Sequence, residues 1–196
     1  MRVISGYLKG RKIEGYNIIG TRPTMDRIKE SMFASIQNYT KESIVLDLFS
    51  GSGSLGIEAI SMGANKCYFV DNNKEIIKIL NKNINNLNIK DKTVVINKDY
   101  KEALLYFKNS NIKFNILLVD APYQMKVMNE VIELINKYDL LYDEGILILE
   151  YSIDILKDNY DKLKLIKSKK YSDKYVNIYQ KIIDIRYDNW YNLFVI

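Results

Sequence analysis

From residue 43 onward the chain alternates between two hydrophobic rhythms. Near-continuous apolar runs recur at 43–48 (SIVLDL), 66–71 (KCYFVD), 92–97 (KTVVIN), 114–120 (FNILLVD) and 145–150 (GILILE). Runs of this kind are expected of strands buried on both faces. Between them, apolar residues at helical spacing predict helices over 54–62, 74–87, 100–108 and 124–138. A short fifth helix fits 152–157, with its boundaries left open by IDILKDNYDKLK. Strand–helix alternation builds a parallel sheet covered on both sides. Two further strands, near 162–169 and 174–182, are expected to complete the sheet.

The first twenty residues read differently. RVISGYLKGRKIEGYNIIG alternates apolar and polar positions around glycines, which predicts a β-hairpin or ribbon over 1–20. TRPTMDRIKESMFASIQ then opens a helix, with Thr24 as its cap and Ile28, Met32, Phe33 and Ile36 on one face. The expected organisation is a ribbon (1–20), one α/β domain (21–182) and a tail (183–196). The tail, DIRYDNWYNLFVI from Asp184, is aromatic and apolar, so it is expected to pack on the domain or on a partner.

Candidate chemistry collects at the strand ends. Gly51, Gly53 and Gly56 form G-x-G-x-x-G between the first strand and its helix. That spacing suits a nucleotide-containing ligand at a helix N-terminus, and a nicotinamide or flavin dinucleotide or a degenerate site are alternatives. Asp47 and Phe49 precede the glycines. An acid there disfavours a pyrophosphate and favours a cation such as S-adenosylmethionine, with its ammonium and sulfonium. Asp71 ends the second strand, beside Asn72, where a carboxylate can accept both ribose hydroxyls. Asp99 and Tyr100 end the third, placed to meet the adenine. Capping of the following helices is the competing explanation for Asp71 and Asp99.

The fourth strand ends in DAPY. Asp120 and the carbonyl of Ala121 can accept the two hydrogens of an exocyclic amine, Pro122 stiffens the turn, and Tyr123 can stack on a planar base. Such a pocket needs no histidine, because a sulfonium methyl is already activated and positioning supplies most of the rate.

The chain contains no histidine and one cysteine, Cys67. This excludes Ser-His-Asp catalysis, a Cys-based zinc site and an intramolecular disulfide, leaves no metal site in prospect, and makes Cys67 a buried structural thiol. A net charge of +5 suits a polyanionic partner, although the whole chain is rich in lysine. Neither a signal peptide nor a membrane span is read from the sequence, so a cytoplasmic protein is expected.

MRVISGYLKGRKI, TRPTMDRIKESMF, VLDLFSGSGSLGIEAISMGA, FVDNN and DAPY together resemble the class I, Rossmann-like adenosylmethionine-dependent methyltransferases. More closely, over about residues 1–182, they resemble the bacterial 16S ribosomal RNA guanine-N2 methyltransferase family. The resemblance implies a mostly parallel seven-stranded sheet with a reversed last strand. It also implies methylation of one guanine of 16S ribosomal RNA in the small subunit or its precursor; separately, a monomer is expected. Arg22, Pro23 and Thr24 match a loop near the cofactor and target base. Arg2, Arg11, Lys12 and Arg27 become candidates for gripping RNA phosphates, a solvated charged face being the alternative. One departure stands out: the family motif is D-P-P-Y, and Ala121 replaces its first proline. DNA adenine-N6 methylation and a non-catalytic RNA-binding assembly module are the competing functions.

Overall fold

A computed structural model describes residues 1–15, 22–122 and 125–183, with side chains from Asp26 onward in the second segment. One sheet of eight strands organises them: β1 (Ile44–Asp47), β2 (Lys66–Asp71), β3 (Thr93–Asn97), β4 (Phe114–Val119), β5 (Leu141–Tyr151), β6 (Asn159–Tyr160), β7 (Leu163–Tyr171) and β8 (Lys174–Lys181), in the order β3-β2-β1-β4-β5-β8-β7-β6. Strands β1 to β5 are parallel. β8 is antiparallel to both β5 and β7, which is the expected reversed last strand. The order turns back between β1 and β4, and that switch opens a crevice at the carboxyl ends of the strands.

The helices divide between the two faces. α1 (Arg22–Thr40), α2 (Ser54–Ser61) and α3 (Lys74–Leu87) bury Ile28, Phe33, Ile57, Ile60, Leu80 and Ile84 on one face. α4 (Tyr100–Asn109) and α5 (Met128–Lys137) bury Leu104, Phe107, Val131 and Ile135 on the other. The one cysteine, Cys67, is fully buried in the first layer, where burial pushes its thiol upward and keeps it a packing group.

Several expectations are corrected. No helix forms over 152–157: the segment is irregular, and Ile153 and Ile155 point to solvent. Its apolar residues are too few to bury a helical stripe. Tyrosine hydroxyls satisfy part of its backbone instead: Lys157 N–H donates to Tyr160 (2.9 Å), and Tyr179 donates to the Lys157 carbonyl (2.7 Å). The two-residue β6 that follows raises the strand count from seven to eight. α5 starts at Met128 rather than 124, because Lys126 adopts a left-handed φ of 48° that interrupts any earlier turn. α1 begins at Arg22, so Thr24 lies inside its first turn and is not the cap.

The expected ribbon is also more tightly integrated than an extension. Among the described residues it shows a single antiparallel bridge, Arg2 to Lys12. Residues 16–20 of the expected ribbon, Tyr123, and 184–196 of the tail lie outside the described residues. Val3, Leu8 and Ile13 are buried against α1 and α2. Gly6, at φ 75°, presses so closely on α2 that a Cβ there would sit 1.9 Å from the Ser61 carbonyl oxygen. Asn83 of α3 closes the other end, accepting from Glu14 N–H (2.9 Å) while donating to the carbonyls of Glu14 (2.8 Å) and Ser52 (3.0 Å).

Candidate functional site

The loop after β1 is shaped by acids that sit behind it and beside it. Gly51 and Gly53 take positive φ of 52° and 86°, conformations that favour glycine. Gly56 has a different reason: a Cβ would lie 2.3 Å from the Phe69 ring, so glycine lets α2 lie close on β2. Asp47 is 1% exposed and its Oδ2 accepts from Gly56 N–H at 2.9 Å. Asp71 accepts from Gly51 N–H (3.0 Å) and from Asn73 N–H (2.9 Å). The loop is therefore held in place by two carboxylates from adjacent strands.

These elements frame a cavity of about 260 Å³ at the crevice. Phe49, Gly51, Asp71, Asn72, Asp99 and Tyr100 line it on one side, and Asp120 and Pro122 on the other. Asp47, Gly53 and Gly56 do not line it; they shape the wall. Asn73, not Asp71, caps α3 through bonds from Glu75 N–H and Ile76 N–H, so capping does not explain Asp71. Asp99 does cap α4, accepting from Lys101 N–H at 2.9 Å, and lines the cavity as well. The Tyr100 ring tilts against Phe49 with centroids 5.4 Å apart, making an aromatic flank. Its hydroxyl donates to Glu130 of α5 at 2.7 Å. Burial, then that bond, pushes the phenol up to about 12, so it stays protonated.

On the acceptor side, burial holds the Asp120 carboxyl well above the usual carboxylate range. Glu150 and Asp47 push it the same way, and Lys174 opposes them. Val119 pairs with Leu149 across β4 and β5, which places Asp120 next to Glu150. Glu150 is in turn ion-paired with Lys174 at 2.6 Å, both side chains largely buried. Ala121 is buried in the core layer beneath α5, while Pro122 is exposed at the rim. Glu150 was legible by the rule that found the other acids, since it too ends an apolar strand. Lys174 reaches the site only through the antiparallel β5–β8 pairing, which leaves no local signal.

Among the described side chains, none of the candidate RNA-gripping residues lines the cavity. Arg2 is exposed and pairs with Asp26 at 3.5 Å, and Arg11 donates to the Asn86 carbonyl at 2.9 Å. Lys12 and Arg27 are exposed, and the side chains of Arg22 and Thr24 lie outside the described residues.

Asp47 also carries a stability prediction. Burial raises its carboxyl to about 7, against the bonding effect of Gly56 N–H. The folded state therefore binds this proton more tightly than the unfolded chain does. That contribution is fully present below about pH 4, the ordinary carboxylate value, and is lost as pH rises through about 7. Asp47→Asn keeps an acceptor for Gly56 N–H without the charge. It is expected to raise the thermal midpoint more at pH 8 than at pH 5; an equal shift at both would contradict a buried titrating carboxyl.

Residues 1–180 match the model of the family described as conserved hypothetical protein 95. The chain is 34% identical over 182 residues to the Bacillus subtilis protein YlbH, covering 92% of this chain and 99% of that relative. It is 33% identical over 168 residues to ribosomal RNA small subunit methyltransferase D of Haemophilus influenzae, covering 84% of this chain and 86% of that one. The solved structure of the Escherichia coli protein yhhF superposes with a TM-score of 0.81 at 27% identity, over 93% of this chain and 98% of its own. The match runs from the N-terminal segment through the glycine loop and the Asp120 turn to β8, and the chain belongs to the conserved hypothetical protein 95 family, that of the ribosomal RNA small subunit methyltransferase D proteins.

Proposed function

We propose that this protein methylates the exocyclic N2 amine of a guanine in 16S ribosomal RNA of the small subunit, using S-adenosylmethionine. The observation that carries this reading is the shared cavity: Asp71, Asp99 and the Phe49–Tyr100 flank face one side of it and Asp120 the other. The residues fit the cofactor. An acid-rich wall suits a cation and disfavours a pyrophosphate. Each Asp71 oxygen already accepts one backbone N–H and keeps a lone pair for a ribose hydroxyl. Adenosylmethionine supplies a methyl group on a positive sulfur.

The protein's own part is to bind, orient and balance charge. The aromatic flank gives the adenine a flat surface and Asp99 accepts from its amine. Asp120 and the Ala121 carbonyl accept the two hydrogens of the target amine and fix its nitrogen. The amine gains positive charge during transfer, which the Asp120 carboxylate stabilises. The proton then leaves to Asp120 or to water. The sequence assigns Tyr123 the role of stacking on the base.

Asp71→Ala is expected to weaken adenosylmethionine binding by ~1.5–3 kcal/mol, the scale of a charge-assisted hydrogen bond. Calorimetry at equal folded fraction reads this directly. Unchanged affinity would leave Asp71 only the bracing of the glycine loop.

The substrate class is tested by labelled methyl transfer to small subunits, naked 16S RNA and duplex DNA in parallel. Label in the RNA substrates alone is expected. Label in DNA would favour adenine-N6 chemistry, and tight cofactor binding without transfer to any substrate would favour a non-catalytic assembly module.

A further inference from the structure

The far end of the sheet carries charge that the cavity does not use. β7 presents Lys164, Lys167, Lys169 and Lys170, all exposed. Lysines elsewhere are commonly neutralised: Lys29, Lys78, Lys82, Lys101 and Lys181 all pair with carboxylates. Among the described residues, none of the four β7 lysines does. The acids nearest in sequence, Asp161 before β7 and Asp173 in the β7–β8 turn, form no ion pair with them.

Hydroxyls and rings hold these ammonium groups instead. Lys167 donates to Ser35 of α1 at 2.8 Å, and Lys169 to Ser31 at 3.1 Å. Tyr171 bonds the same Ser31. Lys169 also lies 5.0 Å from the Tyr171 ring centre, and Lys170 lies 5.3 Å from that of Tyr175. Neutral partners of this kind orient a cation without cancelling its charge. Lys167 and Lys169 thus make a positively charged, ring-flanked pair beside α1, while Lys170, opposite Tyr175, faces the other side of the sheet on the same edge strand.

Its direction ties it to the site. β7 runs antiparallel to β8, and Tyr151 of β5 pairs with Tyr175 of β8. The Lys170 end of β7 therefore reaches the carboxyl edge of the sheet, where Asp120 lies. β4 and β7 are separated by three strand spacings, roughly 14 Å.

Resting on the reading of this protein as an RNA methyltransferase, we propose that β7 and the adjoining face of α1 form the track for the phosphate backbone flanking the target base. Lys167, Lys169 and Lys170 contact phosphates, and their side-chain partners on α1 and β8 set where those contacts fall. The competing role is protection of an edge: beyond Lys164, the outer side of β7 has no strand neighbour among the described residues, and lysines discourage pairing there.

The test is a Lys167→Thr/Lys169→Thr/Lys170→Thr variant, with the three Lys→Arg replacements as the charge-preserving control. Binding to small subunits is measured against salt concentration, alongside transfer kinetics, adenosylmethionine affinity and light scattering. The Thr variant should bind subunits roughly tenfold or more weakly, with a salt slope smaller by about two to three, as expected for three lost phosphate contacts. Its cofactor affinity and its kcat at saturating subunits should match the parent, and the Arg variant should bind like the parent. A parental binding curve and salt slope for the Thr variant would overturn the track, and self-association alongside them would assign the lysines to edge protection. Wild-type protein that binds subunits but transfers nothing would contradict the methyltransferase reading, while the salt slopes would still decide the track.

Discussion

Asp120→Asn is expected to cut methyl transfer by about 10²–10⁴-fold, the range for losing a positioned proton-accepting group, while leaving adenosylmethionine affinity nearly unchanged. Asparagine keeps one acceptor but sets an amide donor against the hydrogens of the target amine. It also removes the negative charge that meets the developing positive nitrogen. The expected pH dependence has a definite sign. Transfer needs the ionised carboxylate, and burial and Glu150 hold that carboxyl high. Activity should therefore fall on acidification at a pH above the ordinary carboxylate range. Glu150→Gln removes a negative neighbour and should move this limb to lower pH. Lys174→Met removes the opposing cation and should move it to higher pH. Full turnover by Asp120→Asn, or loss of cofactor binding with it, would take Asp120 out of the amine pocket.

Lys29→Met is expected to cost the fold ~3–5 kcal/mol, the scale of breaking a buried ion pair from one side. Lys29 and Glu58 lie 2.9 Å apart with side chains 5% and 1% exposed. Lys29 also donates to the Arg2 carbonyl (2.8 Å) and to Ser54 Oγ (3.2 Å) at the start of α2. Glu58 accepts from Ile4 N–H (3.0 Å) and Ser5 N–H (2.6 Å). One buried pair thus joins the N-terminal segment, α1 and the helix that follows the glycine loop. Methionine leaves Glu58 charged, buried and without its cation. Adding Glu58→Gln should recover part of the loss, because glutamine still accepts from a backbone N–H without the charge. Urea unfolding of the single and double variants measures both effects. A loss below about 1 kcal/mol, the range of exposed pairs, would show that the pair is not a structural joint.

The parts of this protein that were legible in its sequence are those written locally. Five apolar runs became β1 to β5, because a strand covered on both faces leaves little room for polar residues. Acids at strand ends marked the cavity, because a parallel sheet brings those ends to one edge. What escaped depends on distant partners. The segment 152–157 carries isoleucines at a spacing that suits a helix, yet they face solvent while the hydroxyls of Tyr160 and Tyr179 satisfy the backbone groups of Lys157. The alternation of residues 2–20 reads as a ribbon, but within its described part about half of the hydrogen bonds go to Glu58, Ser61 and Asn83 on two helices. Lys174 meets Glu150 only after β8 has folded back against β5.

The most direct measurement is the identity of the methylated nucleoside. Small subunits lacking the modification are incubated with the protein and labelled adenosylmethionine, digested to nucleosides, and resolved by chromatography and mass. N2-methylguanosine as the single labelled product, absent with Asp120→Asn, is the expected result. Label in another nucleoside, or equal label from the Asp120→Asn protein, would contradict a guanine amine held at Asp120.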